Sequence, residues 1–198
     1  MVPSGPKAVS VLESGEDDGW VPKPGWYPEM TPQGETRLTV SVGHQRLPAV
    51  HQALVRAMPA PLSVLYRQRI DRSAVEQGKT PPQGQPPRDF VAVSLSTDTV
   101  IAALQAAADL VYGDARNEVW VRSAQHDQLV LDEDGVVYVY PDDPVFRDAL
   151  RAESLPEHDV DTMHDRDYVK HWFRPECDAQ ETAFLTTLGL TEVPHRRA

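Results

Sequence analysis

Two stretches of the chain each read strand, helix, strand, and this repeat constrains the fold more than any other feature. In the first, Leu38, Val40 and Val42 alternate with Thr39 and Ser41, the period of a half-buried strand over 36–43. Leu47, Val50, His51, Leu54, Val55 and Met58 then recur at spacings of three and four, which predicts a helix over 47–58 closed by Pro59 and Pro61. Leu62, Val64, Tyr66 and Ile70 alternate again with polar residues, so a second strand follows. In the second stretch, Phe90 to Ser96 alternates, and Ser96-Thr97-Asp98 supplies an N-cap and a first-turn carboxylate. The helix that starts there carries Val100, Ile101, Leu104, Ala107, Ala108 and Val111 on one face and is expected over 98–112, with Gly113 as its stop. Val119 and Val121 flank Trp120 in the strand beyond.

A hairpin comes next. Leu129 to Leu131 and Val136 to Tyr140 are β-rich runs on either side of Asp132-Glu133-Asp134-Gly135, and Asp-Gly between such runs is a strong turn signal. The expected fold is therefore α+β: a ferredoxin-like βαββαβ, mainly antiparallel sheet extended by this hairpin, with C-terminal helices. Those helices are read at Val145 to Leu150, Tyr168 to Phe173 and Glu176 to Leu188, in a helical region spanning 144–189 that Gly189 closes.

Residues 36–198 are read as one α+β domain. Before it, six prolines and the acidic run Glu16-Asp17-Asp18 lie in residues 1–35, which predicts an irregular strap, packed down by Trp20, Trp26 and Tyr27. Residues 71–89, rich in Pro, Gly and Gln, are expected to form a mobile loop.

Charge and motif content narrow the function classes. A net charge of −11 disfavours nucleic acid, whose phosphates need a basic surface. The longest apolar stretch, from Val100 to Ala108, falls far short of the ~20 residues of a membrane span. One cysteine, Cys177, allows no intrachain disulfide and is expected to be a small buried side chain; a cytoplasmic location is expected. No Gly-rich phosphate loop, CxxC pair, HExxH helix or GxSxG elbow occurs, so neither a catalytic residue nor a cofactor is expected.

Two polar clusters remain. Asp127, Asp132, Glu133, Asp134, Asp142 and Asp143 form the longest acidic stretch without a base, between Arg122 and Arg147. Such a patch would steer a basic partner, so the leading expectation is a non-catalytic protein-binding protein of adaptor, inhibitor or immunity type, with another protein of basic surface as its partner. The second cluster holds three of the seven histidines: His158, Asp161, His164 and His171 are an alternative ligand set for a divalent metal and hence for a metal-dependent enzyme. A third reading, a small-ligand sensor, requires a pocket lined by the aromatic strap.

Overall fold

The computed structural model describes residues 3–69 and 87–194. In chain order its elements are β1 (Ala8–Ser10), β2 (Gly25–Met30), β3 (Thr36–Ser41), α1 (Leu47–Ala57), β4 (Leu62–Gln68) and β5 (Arg88–Leu95). Then come α2 (Thr97–Ala106), α3 (Ala108–Gly113), β6 (Asn117–Ser123), β7 (Gln128–Leu131), β8 (Val137–Tyr140) and α4 (Pro144–Ala152). A short 3-10 turn (Met163–Asp165) leads to β9 (Tyr168–Lys170), α5 (Cys177–Leu188) and β10 (Thr191–Val193).

Both strand-helix-strand units lie in one eight-stranded antiparallel sheet, ordered β10-β5-β4-β6-β7-β8-β3-β2. The inward row follows from the alternation: Leu38 and Val40 of β3 sit beside Val139 and Val137 of β8, and Val64 and Tyr66 of β4 beside Val121 and Val119 of β6. All eight of these side chains are buried. Helices α1, α2, α3, α4 and α5 touch one another in a single layer, and the apolar core lies between that layer and the sheet. α1 begins with Pro48 in its first turn and buries Leu47, Val50, Leu54 and Val55, as its spacing requires.

This strand order does not confirm a ferredoxin-like sheet. The hairpin expected to extend the sheet is inserted inside it, so the β3-α1-β4 connection crosses β6, β7 and β8, whereas β5-α2-α3-β6 crosses β4 alone. Short turns hold β6, β7 and β8 side by side, and β8 then offers Val137 and Val139 to β3. The Asp-Gly turn itself is as expected, with Gly135 at φ 86° and Asp132 Oδ1 accepting from the Asp134 and Val136 amides at 2.9 and 2.8 Å.

Other expectations are corrected. Residues 25–30 belong not to an irregular strap but to an edge strand, in which Trp26 points inward and Tyr27 outward; an edge position tolerates Pro28. The helix expected over 98–112 is broken at Ala107 into α2 and α3. Tyr168 to Lys170, read as helical, instead pairs with β1 in a separate two-stranded ribbon. Cys177 is buried, and Gly189 closes α5 at φ 63°. Of the loop expected at 71–89, residues 71–86 lie outside the described residues, and Arg88 and Asp89 open β5. Among the described residues no helix is long and apolar enough to cross a membrane.

Candidate functional site

A cavity of about 250 Å³ lies where the N-terminal segment crosses the end of the sheet. Its roof is Pro6, Val9, Trp20, Val21 and Pro22; its walls are Val42, Leu47, Val136 and Met163. Four buried polar residues also line it: Lys7, Ser41, Tyr112 and Asp134. The β1–β9 ribbon holds the roof down, reinforced by Arg166, which donates to Ser10 at 2.7 Å and to Asp18 at 2.8 Å and stacks on the Trp20 ring.

Lys7 is only 2 % exposed. Its Nζ donates to the Asn117 carbonyl at 2.7 Å and to Asn117 Oδ1 at 3.3 Å, and Asn117 is itself fixed by donating to the Leu110 and Asp114 carbonyls. Burial lowers the ammonium to about 8, partly opposed by the charges of Asp132, Asp114, Glu133 and Glu118. Behind Tyr112 lies His51, fully buried on α1, with Nδ1 at 3.1 Å from the Tyr112 hydroxyl and Nε2 without a hydrogen bond among the described residues. Burial first, and the Lys7 charge second, hold this imidazole near 3, so it is neutral at any ordinary pH.

Next to the cavity the hairpin acids meet bases brought from far along the chain. His164 Nε2 is 3.0 Å from Asp132 Oδ2, and its Nδ1 is 3.6 Å from Asp134 Oδ2. Lys170 Nζ reaches Asp134 Oδ1 at 3.0 Å and Glu133 Oε1 at 3.2 Å, while Arg69 reaches Glu133 at 3.2 Å and Glu118 at 3.3 Å. Burial raises Glu118, which keeps its proton toward neutrality in a hydrogen bond with Glu133. Glu133, although buried too, is held down by that bond and by Lys170 and Arg69. Asp134 is raised by burial in spite of Lys170.

The six acids singled out in the sequence therefore do not make one open face. Asp132 and Asp134 are buried and Glu133 is paired twice. Asp142 holds Arg147 through two bonds of 2.6 Å, Asp143 caps α4 through the Val145 amide, and Asp127 accepts from Ser123. The bases absent from the sequence neighbourhood arrive from β9, the 3-10 turn and the end of β4, while the flanking Arg147 takes Asp142.

The four candidate metal ligands do not converge either. His158 lies between the Asp159 and Pro24 carbonyls and fills the space a Cβ on Gly25 would take. The Asp161 side chain is solvent-facing, its carbonyl accepting from Ser41, and the His171 backbone bridges Lys7 and Ala115. Only His164 joins carboxylates, and they are Asp132 and Asp134 of the hairpin rather than Asp161. Lys170 already supplies a cation there at 3.0 Å, which favours an ion-pair clamp over a metal site. Lys7 and Tyr112 escaped the sequence reading because neither sits in a motif; the one available signal was a lysine beside an apolar Ala-Val pair in a chain with only four lysines.

Comparison with protein-family models, with curated proteins and with solved structures gave no match.

The clamp has a pH signature. The hydrogen bond to Asp132 raises the His164 imidazole despite partial burial, with the Asp132 and Asp134 charges adding to it. A raised folded value means that the protonated histidine contributes stability below its unfolded pKa of about 6.5 and that this contribution is lost as pH rises through the folded value. The side chain is 43 % exposed, which limits the gain to below about 1 kcal/mol. Urea unfolding of wild type and His164→Gln at pH 6 and pH 8.5 is expected to show a larger difference at pH 6. An equal difference at both values would remove the charge from the explanation.

Proposed function

We propose that the protein binds a small, largely apolar molecule in the cavity beneath its N-terminal segment. The observation that carries this reading is the cavity itself: a mainly apolar recess bordered by Trp20 and its neighbours, with the buried polar residues Lys7, Tyr112 and Asp134 among its lining. Apolar pockets with a few convergent polar groups and a perturbed titratable residue are the usual form of small-molecule sites. At about 250 Å³ the space equals roughly eight waters of liquid, so the ligand is fragment-sized.

An acidic docking face for a basic protein is the weaker reading. Each of its six carboxylates has an intramolecular partner, and a partner protein would have to displace Lys170, His164 or Arg147 to reach Asp132, Glu133, Asp134 or Asp142.

Benzyl alcohol, benzoate and benzylamine test the cavity, since they share one ring and differ in charge. A ligand of this size is expected to bind with a Kd on the order of 1 mM. Titration into ¹⁵N-labelled protein should shift the amides of Val42, Gly43 and Met163 saturably. Val21→Trp, which fills the rim from a position 65 % exposed, should abolish the shifts while leaving unfolding unchanged. The absence of saturable shifts with all three compounds would overturn the reading.

A further inference from the structure

Lys7 differs from an ordinary structural lysine in what surrounds its amine. Buried ammonium groups are normally paired with a carboxylate, because an unpaired charge is costly away from water. Lys170 follows that rule, with Asp134 at 3.0 Å and Glu133 at 3.2 Å. Lys7 does not: among the described residues no carboxylate lies within 4 Å of its Nζ, and its two acceptors are the carbonyl and the amide oxygen of one residue, Asn117. Two acceptors suit a neutral amine, which has two N–H bonds and one lone pair. Both N–H bonds are then used, and the lone pair is the one direction left over. Lys7 is one of the residues that line the cavity, together with Tyr112.

We propose that Lys7 is a covalent capture residue, condensing its amine with the carbonyl group of a small aldehyde or ketone held in the cavity. This rests on the cavity being a ligand site. In the step, the Nζ lone pair forms a C–N bond with the carbonyl carbon as the C=O π bond breaks, and the oxygen takes up a proton while the nitrogen gives one up. Loss of that oxygen as water leaves a C=N bond, so amine plus carbonyl compound gives imine plus one water, with no oxidant or reductant. Lysines that carry out this chemistry are desolvated, so that part of the population is neutral near pH 7. Burial supplies that here, against the opposing fields of Asp132, Asp114, Glu133 and Glu118; the remaining charged or titratable side chains on the cavity wall are Asp134, Tyr112, Asp17 and His44. The apolar lining selects a carbonyl compound with a hydrocarbon body over a sugar.

The chain has four lysines, Lys7, Lys23, Lys79 and Lys170, so the site of capture can be read directly. The full-length protein is incubated with benzaldehyde and sodium cyanoborohydride, which reduces an imine to a stable amine, and adducts are located by peptide mass spectrometry. Lys7 is expected to be modified at least tenfold faster than Lys23 at pH 7. Its rate should level off near pH 8, where the amine becomes mostly neutral, whereas the rate at a solvent-facing lysine continues to climb toward its pKa of about 10.4. Benzyl alcohol should slow the Lys7 reaction alone, and Lys7→Arg should remove that adduct without creating another. Adducts at Lys23 and Lys79 with Lys7 unmodified, in protein whose Val42 and Gly43 amides still shift with benzyl alcohol, would overturn covalent capture and leave the binding site standing. If no probe shifts those amides and Lys7 also stays unmodified, both readings fail.

Discussion

Replacing Asp114 with alanine is expected to lower stability by about 3–5 kcal/mol, because it takes the one fully buried carboxylate from a buried guanidinium and leaves two backbone amides without their acceptor. Asp114 and Arg116 are both fully buried and meet at 2.8 Å. The carboxylate also accepts from the Arg116 amide at 2.9 Å, the Phe173 amide at 3.2 Å and the Arg174 amide at 2.8 Å, so one side chain satisfies three backbone donors and an ion. Arg116 in turn reaches Asp178 at 2.9 Å, Glu181 at 3.1 Å and the Arg174 carbonyl at 3.0 Å, with the Phe173 ring against its guanidinium. Residues 173–181 are thereby tied to the start of β6. Loss of the carboxylate leaves the arginine with two partially exposed acids and orphans the amides of Phe173 and Arg174. Asp114→Asn keeps an acceptor and should cost less. Urea unfolding measures both, and a loss below about 1 kcal/mol for Asp114→Ala would show that the hub relaxes onto Asp178 and Glu181.

This hub also marks where sequence reasoning stops. Strand and helix periods are local, so Leu38-Val40, the 47–58 helix and the Asp-Gly turn could be read without knowing the fold. Sheet order is not local. Nothing in residues 128–140 says that β8 will seek β3 across about a hundred residues instead of closing an edge, because both choices bury the same alternating valines. The candidate site was still less legible. A run of acids without nearby bases looks solvated, yet His164 and Lys170 lie more than thirty residues away in sequence and within 3.2 Å in space. Tyr168 to Phe173 reads as helical in isolation; in the fold, Tyr168 to Lys170 becomes a strand by pairing with Ala8 to Ser10, a partner too short to announce itself. Lys7 was hidden for the same reason. Its burial comes from β1 lying over the sheet end, and its hydrogen bonds come from Asn117, 110 residues on.

Trp26→Ala is the second large effect expected, about 3–5 kcal/mol, and it tests whether the proline-rich start of the chain is part of the folded core. The surroundings of this residue explain both its burial and the strand it sits on. Its ring is fully buried beside Val40, its Nε1 donates to the Leu155 carbonyl at 3.2 Å, and Arg147 and Arg151 lie over its ring at 5.5 and 5.8 Å. Its backbone is stitched to the segment after α4 as well, the amide donating to the Pro156 carbonyl and the carbonyl accepting from His158. Pro28 has no donor to offer, but β2 is the outermost strand and needs none on its open side. Truncation to alanine would empty a pocket shared by β2, β3 and α4, and hydrogen exchange should show the β2 amides losing protection before those of β4 and β6. Trp26→Phe retains most of the buried ring and forfeits the bond to Leu155, so about 1–2 kcal/mol is expected. An irregular strap resting on the surface would instead lose less than about 1 kcal/mol on either substitution, and the exchange pattern of the sheet would stay unchanged.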